Sequence, residues 1–270
     1  MLKVSTVPVK NYLAPSKIAG VDFVINPYVG CPHKCLYCYA EYMRKFSAHT
    51  EPWGHFLDVK MCPAPLPAAK IFRRCVLLSS VTDPYNVFEK KYEVTRRLLG
   101  ELVAAEACIR VITKSDLVVR DVDLLSRARD CKVIISFSST DENLRRQLEP
   151  YASSVAQKIE ALRCLHAAGI KTAVMAAPLL PELSDWKAII EATAAVTDTY
   201  CFDWLNLKTP CQKRVLDFID AHYPHLLPLY GRIYMQGDMA YYDHLAREIR
   251  SYCAQKGLEA EVLFGGAKAA

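Results

Sequence analysis

Six short apolar runs rich in β-branched residues recur along this chain, separated by longer stretches whose apolar residues fall at helical spacing. Strands that are apolar on both faces must be covered on both faces, and strands alternating with helices are joined by crossovers, so the pattern predicts a parallel sheet of β/α units. The predicted strands are residues 21–28, 76–80, 109–113, 132–137, 171–177 and 202–207. Predicted helices cover 39–46, 92–107, 122–129, 154–168, 185–197 and 211–222, with Gly169 stopping the fourth. Six units in succession suit an α/β fold whose sheet curls into part of a (β/α) barrel; a flat doubly wound sheet is the alternative.

With 270 residues, 52% of them hydrophobic, the chain can bury one sizeable core, and one main domain is expected over residues 21–210. Residues 1–20 read as an N-terminal extension, and residues 211–270 as a helical C-terminal extension with a Pro-rich corner and a long helix over 239–256. Pro63, Pro65 and Pro67 make residues 61–74 a linker within the domain. No run of 18 apolar residues occurs and the first residues lack a signal-peptide pattern, so a soluble, cytoplasmic protein is expected. The net charge of +5 is spread in basic pairs with acids between them, which permits a nucleic-acid partner without requiring one. Of eleven cysteines, Cys75, Cys108, Cys131 and Cys164 stand isolated in apolar segments and read as reduced core thiols.

Three others are different. Cys31, Cys35 and Cys38 lie in N-P-Y-V-G-C-P-H-K-C-L-Y-C-Y-A, directly after the first predicted strand, on a loop marked as exposed by Pro32, His33 and Lys34. Soft thiolates at this spacing favour an iron–sulfur cluster or zinc, and a cubane cluster held by three thiolates leaves one iron open. Zinc would need a fourth ligand, from His33, His49 or His55, and would make a non-catalytic structural module; no second ligand pair at finger-like spacing follows.

The C-x3-C-x-aromatic-C spacing resembles the signature of the radical S-adenosylmethionine (radical SAM) superfamily, and the fuller motif resembles its spore photoproduct lyase-like branch. The resemblance continues through S-S-V-T-D-P-Y-N (79–86), T-K-S-D-L-V-x-R-D (113–121), A-A-P (176–178) and N-L-K (206–208). Residues 51–60, which include E-P-W-G, and residues 223–230 resemble the radical SAM mobile pair protein B group. The resemblance implies a partial (β/α)6 radical SAM barrel with a 4Fe-4S cluster on Cys31, Cys35 and Cys38 and S-adenosyl-L-methionine across the carboxyl ends of the strands. It implies an enzyme that reductively cleaves this cofactor to a 5'-deoxyadenosyl radical, which abstracts hydrogen from a substrate. Such chemistry needs a low-potential electron donor, a flavodoxin or ferredoxin.

Functional groups of β/α barrels gather where the strands end at their carboxyl termini. There, Ser79, Ser80, Thr82 and Asp83 are candidates for the methionine ammonium, with Asp83 foremost, and Lys114 for its carboxylate. Ser136, Ser138 and Ser139 are candidates for the ribose, or plain turn serines; Tyr37 should pack on the adenine side, and residues 176–178 offer adenine only backbone and apolar contacts. Asn206 and Lys208 read as a helix-capping and surface pair rather than substrate contacts. In spore photoproduct lyases a cysteine after the second strand donates a hydrogen atom, relayed by two tyrosines. Tyr37 and Tyr39 match the tyrosines, but Ser80 stands in the cysteine's place, and its O–H bond is too strong for that task, which argues against photoproduct repair. Cys211 follows the sixth strand and could replace that cysteine from another direction, but reads rather as a core or helix-start cysteine; Cys75 starts its strand at the wrong end of the barrel.

Overall fold

The computed structural model describes residues 2–207 and 210–265, so Lys208 lies outside the described residues. The strands are β1 (Lys3–Pro8), β2 (Leu13–Pro15), β3 (Phe23–Ile25), β4 (Tyr28–Val29), β5 (Phe56–Met61), β6 (Cys75–Leu78), β7 (Cys108–Thr113), β8 (Asp130–Phe137), β9 (Lys171–Leu179), β10 (Thr199–Trp204) and β11 (Glu259–Val262). Eight form the main sheet, in the order β2-β3-β6-β7-β8-β9-β10-β11, with β2 and β11 as edges, so the barrel is partial. All neighbours are parallel except β2 and β3. The six predicted strands are β3 and β6 to β10. Val111 lies opposite Val133, and Ile135 opposite Val174, all fully buried, so the branched side chains that set the strand propensity also fill the core.

The helices cover this sheet. Val155–Ala167 begins at a capping box, in which Ser154 and Gln157 satisfy each other's backbone N–H groups, and buries Ala161, Leu162 and Leu165. Gly169, at φ +73°, ends it as predicted. Trp186–Thr193 and the long helix Ala240–Lys256 bury Ile189, Ile190, Leu245 and Ile249.

Several expectations are corrected by the structure. The first predicted strand breaks at Pro27, which has no N–H for a ladder, and the chain passes to a second sheet as β4. That sheet has the order β1-β5-β4. The last predicted strand, 202–207, runs instead over Thr199–Trp204, and its pairing with β9 is irregular between Phe202 and Trp204. The C-terminal segment is not helical throughout: after Gly257 it returns as β11 beside β10, a pairing too short to show in the sequence pattern. Within residues 61–74, one helical turn, Ala68–Ile71, forms after the prolines. The helix Glu142–Leu148 was not predicted; its start is fixed by Asp141, whose carboxylate accepts the Asn143 and Leu144 N–H groups.

Candidate functional site

The cysteine loop leaves β4 at the carboxyl end of the main strands and is clamped from three sides. From below, Leu36 N–H donates to the Leu148 carbonyl, at the end of the unpredicted helix. From the C-terminal side, Arg214 Nε donates to the Leu36 carbonyl and its guanidinium pairs with Glu41 at 3.0 Å. From the outer side comes β5. Gly30 has φ +85°, and a Cβ there would stand 2.3 Å from the Phe56 carbonyl oxygen. Gly54 also has φ +85°, and a Cβ there would press on Lys34 at 2.8 Å. Only glycine allows the backbones to approach this closely in that conformation.

Cys31, Cys35 and Cys38 are not in disulfides; Cys31 feels the charge of Cys38, and Cys35 that of both others. Burial pushes the Cys31 thiol up to about 12, with Asp83 and Cys38 adding to the shift. Burial raises Cys35 and Cys38 as well. Three desolvated thiols on one loop cannot become thiolates without a cation among them, and iron would supply that charge; the donor set fits a cluster. Among the described residues no three His, Cys, Asp or Glu side chains converge on one point as a single metal ion requires. A cubane has four separate corners, and its thiolates stand further apart than those around one zinc ion. Of the histidines weighed for zinc, His49 has both ring nitrogens engaged, by Asp58 at 2.9 Å and Glu51 at 3.1 Å. His33 is buried with Nδ1 3.4 Å from Asp83, and burial lowers its pKa.

Beside the loop lies a buried charge network. Glu149 is fully buried and faces two lysines, Lys158 at 2.8 Å and Lys114 at 3.5 Å, while the Tyr37 hydroxyl donates to its carboxylate. Burial would raise the Glu149 pKa, but the two ammonium groups hold it well below the usual carboxylate range. Lys114 is depressed by burial yet ends above an ordinary lysine, because Glu149, Cys35 and Asp83 surround it. It is therefore a permanent cation next to the cysteine loop.

The other sequence candidates fall around this cation. Lys114 Nζ donates to Ser136 Oγ, which in turn donates to the Ala177 carbonyl at 3.3 Å. Ser79 and Ser138 are buried with hydroxyls that find no hydrogen-bond partner of normal geometry, and Ser138 Oγ lies near the Tyr37 phenol. Ser139 accepts Asp141 N–H in the turn before its helix. Asp83 is heavily engaged inside the protein: it accepts from Thr113 Oγ1 at 2.7 Å and from the Lys114 and Tyr85 N–H groups. Thr82 Oγ1 donates to the Gly30 carbonyl at 2.7 Å. Ser80 is held through its backbone, its N–H donating to Asn26 Oδ1 and its carbonyl accepting from the Tyr39 hydroxyl. The two tyrosines thus part company, Tyr37 pointing into the network and Tyr39 lying 50% exposed at the mouth. Cys211, at the head of the helix Gln212–His222, is buried in one apolar cluster with Tyr37, and its sulfur is felt by Cys38. Cys75 begins β6, at the amino end of the strand and away from the loop, as expected.

Residues 25–192 match the family profile of the radical SAM superfamily. An uncharacterized protein of Methanocaldococcus jannaschii is 33% identical over 223 residues, covering 83% of this chain and 85% of that protein. An uncharacterized protein of Mycobacterium bovis is 26% identical, covering 80% of this chain and 68% of that one. Among solved structures, a spore photoproduct lyase mutant with bound AdoMet and dinucleoside spore photoproduct shares the fold at TM-score 0.67 and 17% identity, covering 97% of this chain and 82% of that one. Streptococcus suis SuiB bound to S-adenosylmethionine shares it at TM-score 0.56 and 14% identity, covering 90% of this chain and 50% of that one. With the family profile spanning well over half of its residues, the chain belongs to the radical SAM superfamily, whose cofactors are a 4Fe-4S cluster and S-adenosylmethionine.

Proposed function

We propose that this chain is a radical SAM enzyme in which Cys31, Cys35 and Cys38 hold the cluster and leave one iron for S-adenosylmethionine. The observation that carries the reading is the meeting of three desolvated thiols on one loop, one buried and two half-buried, with the half-buried cation of Lys114. Bound together, the two cofactors supply a 5'-deoxyadenosyl radical for hydrogen abstraction, with the electron coming from a low-potential flavodoxin or ferredoxin.

The residues of the chain bind and orient. Lys114 offers its ammonium to the methionine carboxylate, and Glu149 keeps that ammonium charged. Ser79 and Ser138 carry hydroxyls that a polar ligand would satisfy, which suits the ammonium and the ribose respectively. Ser136 fixes the position of Lys114 Nζ. Asp83 ties the ends of β6 and β7 together and sets negative charge beside Cys31. Tyr37, Leu180, Leu205 and Leu207 form an apolar wall that keeps water from a reactive intermediate.

The substrate is one that needs no thiol at position 80. The neighbouring lyases bind a dinucleoside spore photoproduct, but Ser80 here presents only a hydroxyl, so the reading stops short of photoproduct repair. The test is anaerobic reconstitution with iron and sulfide, then incubation with dithionite and S-adenosylmethionine. A brown protein with about four irons per chain that forms 5'-deoxyadenosine supports the reading. A colourless protein holding one zinc, or a brown one that forms no 5'-deoxyadenosine, refutes it.

A further inference from the structure

Two cysteines that stand isolated in the sequence meet in the fold. Cys75 is the first residue of β6 and Cys108 the first of β7, and the parallel register sets them directly opposite each other. In-register neighbours on adjacent strands point to the same face of a sheet. The burial alternates in phase with this: both cysteines are half-buried, and the following Val76 and Ile109 are fully buried on the other face. The chain segments that enter the two strands are already tied, since Cys108 N–H donates to the Arg74 carbonyl at 2.9 Å and Cys108 Sγ to the Arg73 carbonyl at 3.9 Å. Both thiols are free, and among the described residues they are the one pair of cysteines set opposite each other in the main sheet. Neighbouring strands lie about 4.8 Å apart, inside the Cα separation of about 4.4–6.8 Å that a disulfide spans.

We propose that Cys75 and Cys108 form a reversible disulfide that locks β6 to β7 under oxidising conditions. The oxidant is a small disulfide of the glutathione class. One thiolate of the pair attacks its sulfur–sulfur bond and releases a first glutathione thiol; the other thiolate attacks the mixed disulfide and releases the second, so two electrons and two protons pass from the pair to the oxidant. The bond closes a loop that includes the helix Val94–Ala104, and closing a loop of the unfolded chain favours the folded one. It stands at the amino ends of strands whose other ends carry Ser79 and Lys114, so it ties the sheet together without touching the cysteine loop. The inference lies beyond the cluster reading and does not depend on it.

The experiment treats the reconstituted full chain with oxidised glutathione under anaerobic conditions, blocks the remaining thiols and maps the peptides by mass spectrometry. Burial raises the Cys75 thiol, so the reaction is run at mildly alkaline pH, where thiolate is present. A crosslink between residues 75 and 108 should appear, about 2 Da lighter than the two thiol peptides together because two hydrogens have left, and dithiothreitol should remove it. Cys75→Ser and Cys108→Ser should lack it, whereas Cys164→Ser, on the helix Val155–Ala167, should keep it. At equal iron content the crosslinked chain should melt about 5–10 °C above the reduced one, and neither serine variant of the pair should show that gain. Glutathione carried on Cys75 or Cys108 without a crosslink, a crosslink to another cysteine in its place, or a melting temperature no higher than that of the reduced chain overturns the proposal. Should a serine variant fail to fold, the peptide map and melting temperature of the unaltered chain decide alone.

Discussion

Replacing Glu149 by glutamine removes one negative charge from between two lysines and keeps the side chain's shape. The Glu149 carboxylate and the Lys158 ammonium, 2.8 Å apart, are both fully buried, and Lys158 lies over the Phe137 ring with no water to take over from its partner. Breaking a buried pair on one side costs about 3–5 kcal/mol, because an unpaired charge stays behind. The upper limit is set by the lysine: shedding its proton at pH 7 from an ordinary pKa costs about 4.6 kcal/mol, and Lys158 would neutralise rather than exceed that. At about 2–4 °C per kcal/mol for a chain of this size, the unfolding midpoint should fall by about 6–18 °C. Two further measurements make the cause specific. In Glu149→Gln/Lys158→Met the stranded charge is gone and methionine can pack on Phe137, so most of the loss should be recovered. The pH dependence has a fixed sign: Glu149 is held below its unfolded pKa, so its contribution is complete above about pH 4.3 and is lost as the pH falls below it. The gap between wild type and Glu149→Gln, followed by urea unfolding, should therefore narrow on acidification from pH 6 to pH 3. A single variant within about 1 kcal/mol of wild type, or a double variant as unstable as the single, would refute the network as drawn.

Alanine at Cys31, Cys35 or Cys38 should each abolish the visible iron–sulfur absorption, whereas Cys211→Ala should keep it; loss of iron in Cys211→Ala would show a fourth thiolate and close the open corner. Lys114→Met should weaken S-adenosylmethionine binding to the cluster-loaded protein by about 10–100-fold, the worth of a hydrogen bond to a charged group, and calorimetry showing an unchanged Kd would remove Lys114 from the site. Gly30→Ala should destabilise by about 2–4 kcal/mol because of its left-handed backbone and the Phe56 carbonyl against it. Gly100→Ala, inside the helix Val94–Ala104 with open space around it, should stabilise by about 0.5–1 kcal/mol in the same thermal assay.

What could be read from the sequence is what local chemistry decides. The strands β6 to β9 are mostly apolar, with nearly every position buried or half-buried, so the apolar runs give them away. The strands β1, β2 and β11 have mostly exposed or half-buried residues and exist because a neighbour offers its edge. The same division holds at the site. Three cysteines within eight residues announce themselves, and Lys114 and Ser136, singled out separately, meet through a hydrogen bond. Glu149 and Lys158 did not stand out: one precedes a proline like an ordinary loop acid, and the other sits on a helix like an ordinary surface lysine. Only tertiary packing buries both. Asn26, in the N-P-Y motif, was visible as part of a pattern, but its task of receiving the Ser80 and Val81 N–H groups depends on β3 and β6 being neighbours.

The two sheets divide the work around the cysteine loop, and this division makes their roles separable. The main sheet ends in Lys114, Ser136 and Ser138, which face the place where S-adenosylmethionine is proposed to lie. The smaller sheet brings β5 against the loop's outer side, where Gly30 and Gly54 permit the approach. A loop held between two glycine contacts and the Arg214 clamp has little freedom to choose its own shape, so the small sheet acts as the mould and the main sheet as the ligand cradle. Changes at residues 114, 136 and 138 should then lower affinity for S-adenosylmethionine with the iron content preserved, whereas Gly30→Ala should lower the iron content. A variant of Ser136 that lost as much iron as Gly30→Ala would show that the two sheets do not act separately.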